Sequence, residues 1–562
     1  MQDVKYSIII YFVIFLISVI ECHKSRGDNE RPTVIVKEGI LIGKTSRTFY
    51  GDTYYSFKGI PYAEAPTGEH RFEAPLRPKP WNGEREATEH GPVCTQINFS
   101  LQVVGSEQCL FLNIYTRSLK SNAKIPVMVF IHGGSYQSGS GNSDNFSPDL
   151  LLEHGVIIVT INYRQEVLGY LSLDLPSVPG NAGMKDQVMA LRWLKENIAK
   201  FGGDPDSVTI FGESSGSTSV TYLVVSDMAK GLFNKAIAQS GVCLQDWSQG
   251  RDMVGKAFRA AKALGKEIHD VNELLKFFNS LPAGNLTNLN EASMTEEENY
   301  RGLPERFVPV IEQSFPNVES FLDENPKLKL ASGRVNNVTL MLGYNSGEGI
   351  SIISYIKDRL DVKNKNPSYF VPRDIAERVS EEKMKDLGRR IVRFYGGVEG
   401  CMQKDNVDGL KNMATDIYFA FNTHRFAYLY NNGPVYMYRF DYDTDLNIVK
   451  NRFTTYQNVE GASHGDELFY IFFNEFNKNI LEKEPKLRNI AREVTKLWTN
   501  FAKTGNPTRD NSLGVKWKPY TKSGKEFMNI NQNYTMGSFA DRQRIEFWNQ
   551  IYKEAGLSYI DQ

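Results

Sequence analysis

Gly212-Glu-Ser-Ser-Gly216 is the one Gly-x-Ser-x-Gly run in the chain. A strand-like segment, Ser207-Val-Thr-Ile-Phe211, precedes it, and a helical pattern from Thr218 to Val225 follows it. Strand, sharp turn and helix form a nucleophile elbow, in which glycines two residues to either side let neighbouring backbone close around a strained serine. Ser214 is therefore the candidate nucleophile. A serine hydroxyl is almost never ionised at neutral pH and needs a general base. Of eight histidines, His23, His70, His90, His132 and His154 precede the serine, the wrong side for an elbow of this kind. His269 and His424 sit in helical patterns among Lys, Asp and Arg, where a solvated or core-edge histidine is expected. His464 lies in the polar, glycine-bearing loop Val459-Glu-Gly-Ala-Ser-His-Gly-Asp-Glu467, read as following a strand, and is the candidate base.

An imidazole that takes up the serine proton needs a carboxylate on its other nitrogen to fix the tautomer and stabilise the cation. Tyr344-Asn-Ser-Gly-Glu-Gly349 directly follows the strand-like Val338-Thr-Leu-Met-Leu342, which nominates Glu348. Attack on a carbonyl develops charge on oxygen, so backbone N–H donors must converge there. His132-Gly-Gly-Ser135 follows the strand-like Val127-Met-Val-Phe-Ile131 and matches an HGGG-type loop with serine in the last place. Gly134, Ser135 and Ser215 are the expected oxyanion donors. The chemistry implied is acyl transfer through a covalent serine intermediate. No cofactor is called for, and neither an HExxH run nor a Cys/His cluster suggests a metal.

These loops need a scaffold. Val156-Ile-Ile-Val-Thr-Ile161, Lys235 to Gln239 and Val435 to Phe440 read as further buried strands. Ala182 to Phe201 places Val188, Leu191, Leu194, Ile198 and Phe201 at helical spacing and ends at Gly202-Gly-Asp-Pro205. Val254 to Leu264 and Leu487 to Lys503 are helical too. Strands alternating with helices predict a mostly parallel sheet with helices on both faces. The helix-rich stretches 244–337 and 350–430 read as insertions forming a lid at one end of the sheet. With 562 residues, 41% apolar, and 33 Phe, 28 Tyr and 6 Trp, the chain has material for a large packed core. Lys and Arg number 65 against 66 Asp and Glu, which leaves no excess of positive charge for nucleic acid.

The apolar run Ser7–Ile20, with Lys5 before it and a polar stretch after it, is shorter than the ~20 residues that span a bilayer. Residues 1–22 read as a signal peptide cleaved near Cys22 or His23, and 23–562 as a single domain. The C-terminus carries neither a retention signal nor a hydrophobic tail, so secretion without a stable membrane anchor is expected. Of five cysteines, Cys94 and Cys109 enclose a short loop suited to a disulfide in an oxidising compartment. Cys243 and Cys401 are read as free thiols, with a second bridge as the alternative. Asn98, Asn285, Asn337 and Asn533 are glycosylation acceptors by pattern, and Asn145 a weaker one.

Taken with Gly59-Ile-Pro-Tyr-Ala63, Glu107-Gln-Cys-Leu-Phe-Leu-Asn113, Asn162-Tyr-Arg164 and Gln239-Ser-Gly241, these motifs resemble the type-B carboxylesterase family, over nearly the whole mature chain. The resemblance implies the α/β-hydrolase fold, a Ser214–Glu348–His464 triad, a Cys94–Cys109 bridge and a structural Arg71–Glu107 ion pair. It also implies that Glu213 and Ser240 stand close behind the triad. The expected activity is secreted hydrolysis of small carboxylic esters, of broad specificity, by a monomer or homodimer. The alternatives are a specialised hormone, pheromone or lipid esterase, or a non-catalytic adhesion relative. Gly-Glu-Ser-Ser-Gly differs from the Gly-Gln-Ser-Ala-Gly of juvenile hormone esterases, and residues 95–108 lack the tryptophan that binds choline in cholinesterases. Gln165-Glu166 interrupts a segment that is normally small and apolar.

Overall fold

The structure, a computed structural model, describes residues 31–98, 100–509 and 513–557. The apolar N-terminal run and the expected cleavage point lie outside them. Eleven strands form the main sheet: β1 Lys44–Arg47, β2 Thr53–Pro61, β3 Phe111–Thr116, β4 Ile125–Ile131, β5 Ile157–Ile161, β6 Gly203–Glu213, β7 Lys235–Gln239, β8 Thr339–Asn345, β9 Val435–Phe440, β10 Glu526–Ile530 and β11 Thr535–Ser538. Their spatial order is β11-β10-β9-β8-β7-β6-β4-β5-β3-β2-β1. The run from β5 through β4 and β6 to β10 is parallel, and antiparallel strands close both edges. Chain order reverses beside β4, with β5 on one side and β6 on the other, so a crevice opens beyond their carboxyl ends.

Apolar runs without alternation form these central strands because both faces are covered. In β4, Val127, Val129 and Ile131 enter the core beneath one face, while Met128 and Phe130 enter the other. The first core is completed by Met184, Val188, Leu191 and Leu194 of the helix Ala182–Asn197. The second takes Val494, Leu497, Trp498 and Phe501 from the helix Pro485–Thr504. Burying each such side chain contributes about 1.5–3 kcal/mol.

The two inserted regions differ in how they are anchored. Met253, Leu274, Phe278 and Phe307 of the first join the core under one sheet face. Ile356, Leu360, Leu387 and Ile391 of the second pack with Trp548 of the C-terminal helix in a third core.

Some boundaries depart from the sequence reading. β6 begins at Gly203, with irregular pairing up to Val208. The helix after the elbow begins at Ser215, ahead of Thr218. Ile198–Phe201 tightens into a 3-10 turn before Gly202, which stops it at φ 83°. Between β9 and the His464 loop stands a short helix, Ile448–Phe453, so that loop does not follow a strand directly. His424 is neither solvated nor at the core edge. It is 2% exposed, and burial pulls its imidazole down to about 4.

Cys94 and Cys109 are bonded, while Cys243 and Cys401 are free. Inside the bridged loop, the Gln96 amide donates to Gly139 O at 2.9 Å and accepts from Gly139 N at 2.7 Å. The Gly139 Cα lies against the His132 ring, so an added Cβ there would come within 2.3 Å of Nδ1. The bridge therefore braces the glycine loop after β4. Cys94→Ser should cost about 3 kcal/mol, the entropy of a loop of this size, and lower activity as well, read together by urea midpoint and turnover. Arg71 clasps Glu107 through Nε and Nη2 at 2.6 and 3.1 Å, fixing the other side of the same loop. Asn145, Asn285, Asn337 and Asn533 are exposed and Asn98 partly so. No helix among the described residues is long and apolar enough to cross a membrane.

Candidate active site

The carboxyl ends of four neighbouring parallel strands carry the candidate residues: β4 leads into His132-Gly-Gly-Ser135, β6 into Ser214, β7 into Ser240 and β8 into Glu348. Ser214 sits at φ 57°, ψ −123°, a conformation that costs an L-residue about 1–3 kcal/mol and persists only where its surroundings enforce it. The enforcement is visible. Ser214 N donates to Gln239 O at 2.9 Å. A Cβ on Gly216 would lie 2.0 Å from Ile131 O, and one on Gly212 2.6 Å from the same oxygen. Both glycines let β4 and the elbow approach to backbone contact.

On the opposite wall, His464 Nδ1 lies 2.6 Å from Glu348 Oε2, and Glu348 Oε1 accepts Asn345 N at 2.7 Å. Glu348 is fully buried, so its carboxylate has fixed partners. His464 Nε2 lies 3.1 Å from Glu213 Oε1, yet that oxygen has no hydrogen-bond donor. The imidazole is beside Glu213 without being aimed at it. The Ser214 hydroxyl makes no hydrogen bond among the described residues, so serine and imidazole are not joined here, whereas imidazole and Glu348 are. Catalytic hydrogen bonds often tighten only once substrate is bound.

Gly134 and Ser135 adopt φ 117° and 60°, and a Cβ on the preceding Gly133 would meet Glu213 O at 2.7 Å and Ser214 Cβ at 3.1 Å. The loop is thus pressed against the serine. Tyr136 N donates to Ser215 Oγ at 3.3 Å, tying loop to elbow. The N–H groups of Gly134, Ser135 and Ser215 donate to no protein atom among the described residues. Three open donors beside a strained serine suit an oxyanion. His132 is stacked on Tyr163 at 4.4 Å and pulled down to about 4 by burial, so it is a neutral packing group.

Sequence reasoning missed several neighbours. Glu467 accepts from Asn345 Nδ2 at 2.6 Å and from Gln239 Nε2 at 3.2 Å, and Gln239 in turn accepts from Trp498 Nε1 at 3.0 Å. Its spacing from His464 was a usable signal, since a buried acid three residues after the candidate base shares its turn. Phe419 packs against the imidazole at 4.5 Å, and Trp247 packs on Phe419 at 6.1 Å while its Nε1 donates to Tyr418 O. Nothing local marked those aromatics. Ser240 is fully buried next to Gln239, at φ 61°.

Burial alone would depress the His464 imidazole, but Glu213, then Glu348 and Glu467, more than offset it and raise it to about 9. Glu213 is itself pushed up by burial and by the charges of Glu467 and Glu348, and Glu467 by burial and by Glu348. A base works only when unprotonated, so kcat/KM should rise with pH through the imidazole's titration. Glu213→Gln removes the largest carboxylate influence on the imidazole. It should move that limb to lower pH by about one unit, measured as the pH profile of kcat/KM. A limb that stays in place would mean that Glu213 carries no charge there.

A mostly parallel sheet with a strand-to-helix elbow, a glycine loop one strand away and an acid and histidine from later loops defines an α/β-hydrolase. The chain belongs to the carboxylesterase family, whose model matches residues 30–548, and it is a carboxylic ester hydrolase. It is 31% identical to a juvenile hormone esterase of Tribolium castaneum, over 96% of this chain and 97% of that protein. Identity to a carboxylic ester hydrolase of Bombus ignitus is 32%, over 93% and 95%. The crystal structure of juvenile hormone esterase from Manduca sexta, with OTFP covalently attached, superposes with a TM-score of 0.83 at 30% identity, covering 93% of this chain and 100% of that one.

Proposed function

We propose that this chain hydrolyses small carboxylic esters through Ser214, Glu348 and His464 by an acyl-enzyme, and that it does so as a secreted, broad-specificity enzyme. Support comes chiefly from the strained Ser214, whose chain neighbour Glu213 lies 3.1 Å from the His464 imidazole, together with the bond of that imidazole to the buried Glu348 at 2.6 Å. His464 takes the serine proton as Oγ attacks the ester carbonyl, and Glu348 holds the imidazole and stabilises its cation. The oxygen that gains charge is met by the N–H groups of Gly134, Ser135 and Ser215. His464 then gives its proton to the departing alcohol. Water, activated in the same way, releases the acid and restores the hydroxyl.

The leader is residues 1–22, the enzyme is one domain over 23–562, and the exposed sequons at Asn285, Asn337 and Asn533, with Asn98, carry glycans. A specialised esterase is the second reading. It is favoured by the juvenile hormone esterases among its relatives, while Glu213 in the elbow stands against that particular hormone.

Labelling with a fluorophosphonate, followed by intact mass and peptide mapping, tests the chemistry. A single adduct on Ser214 is the expected result. Folded protein that takes no label would sink the proposal, as would an adduct elsewhere.

A further inference from the structure

Gln165-Glu166 places a carboxylate where the family segment is small and apolar, and the fold shows what surrounds it. Glu166 is 3% exposed and holds the left-handed φ 49°. Its N–H donates to Tyr136 O at 2.7 Å, one residue beyond the open donors of the glycine loop. Its Oε2 accepts Asn288 N at 2.9 Å. Two residues further on, Asn290 Oδ1 accepts Phe307 N at 2.8 Å, which brings the neighbouring Arg306 to the same wall. On the far side, Asn299 O accepts the Tyr355 hydroxyl and Asn299 Oδ1 accepts Arg359 Nη2, both at 3.3 Å. Tyr355 lies on the helix Ile353–Lys365, which continues directly from the turn bearing Glu348. The segment 299–307 is therefore tied at one end, through Asn290, to the stretch that holds Glu166 beside the glycine loop, and at the other, through Asn299, to the helix that continues from the Glu348 turn.

Arg301, Arg359 and Arg373 of this wall all have hydrogen-bonded partners. Arg306 has neither a hydrogen bond nor a carboxylate within 4.0 Å among the described residues, and it keeps partial contact with solvent. Burial pulls it below its ordinary value although Tyr355, Glu166 and Glu291 act the other way, so its charge is under-compensated. Glu166, raised by burial to about 7, takes up a proton near neutrality and then ceases to compete with an incoming anion.

We propose that Arg306 is a specificity-determining residue of the substrate cleft, selecting esters that carry an anionic group such as a second carboxylate. The proposal rests on hydrolysis at Ser214. Its test compares kcat/KM for neutral 4-nitrophenyl acetate, 4-nitrophenyl hydrogen glutarate, charged on the acyl side, and 4-acetoxybenzoate, charged on the alcohol side. Arg306→Met should lower kcat/KM for a charged ester by about tenfold or more relative to the neutral one, the scale of a lost charge-assisted hydrogen bond. Arg306→Lys should retain most of the selectivity. Glu166→Gln, which removes the competing carboxylate while leaving Arg306 in place, should raise the charged-to-neutral ratio. If the neutral ester is hydrolysed but neither Arg306→Met nor Glu166→Gln moves either ratio, the Arg306 assignment falls alone. If the wild type hydrolyses none of the three esters, the Ser214 reading falls and this one with it.

Discussion

Ser214→Ala should reduce kcat on a short-chain aryl ester by roughly a millionfold, with fluorophosphonate labelling abolished and the urea midpoint nearly unchanged. The residual rate over water would come from the open N–H donors and from binding, which outlast the nucleophile. Stability should respond to backbone rather than chemistry, because φ 57°, ψ −123° strains alanine as it strains serine. Ser214→Gly relieves that strain and should be about 1 kcal/mol more stable than Ser214→Ala while equally inactive. If Ser214→Ala retained more than about a hundredth of the wild-type rate, another group would have to carry the attack. Stopped assays on all three proteins, beside their denaturation curves, settle both points.

Gly216→Ala is the second large effect, and it acts through packing. Its Cβ would lie 2.0 Å from Ile131 O and 2.8 Å from His132 C and O, backbone atoms at the end of a central strand that cannot swing aside as a side chain would. Either β4 separates from the elbow or the helix Ser215–Val225 tilts away. Both break a close-packed interior, at an expected cost of about 3 kcal/mol or more. Activity should fall at least as far as stability, because the same displacement pulls the Ser215 N–H away from Gly134 and Ser135. A variant with wild-type urea midpoint and turnover would show that this close approach is not required. Gly231→Ala is the matched control: nothing lies within 4 Å of its added Cβ, so its loss should be confined to the strain at φ 77°.

Much of the site was legible because the glycine loop, Ser214 and Glu348 each come soon after an apolar, strand-like run. Five successive apolar residues precede His132, and the segments before Ser214 and Glu348 are similarly strand-like. A strand buried on both faces writes itself as an uninterrupted apolar run, and in a parallel sheet the turn after such a run must open at the carboxyl edge. Strand ends therefore predicted proximity without any long-range information. The elbow glycines were legible for a related reason, since only glycine permits the approach they make to Ile131 O. His464 came by elimination, and the intervening helix Ile448–Phe453 was not foreseen because its short pattern has little periodicity to read.

What stayed hidden lies on elements that reach the site sideways. Phe419 and Trp247 belong to the inserted regions, and Phe419 reaches His464, with Trp247 packed on it, only because those regions pack on the sheet and on the C-terminal helix. His424 looked polar in its helix, yet the turn of that helix carries it against Tyr344 and out of water. Glu166 and Arg306 are separated along the chain and meet at one wall only through the 288–290 segment.

The sequence by itself determined the sheet, the elbow and the order of serine, acid and histidine, because periodicity, glycine spacing and strand-end loops are local properties of a chain. Only the tertiary structure decided the electrostatics: which carboxylates crowd His464, that Arg306 has no hydrogen bond among the described residues, and how far each group is removed from water. Those depend on distances between residues hundreds of positions apart, and Coulomb energies and desolvation respond to separation in space and not along the chain.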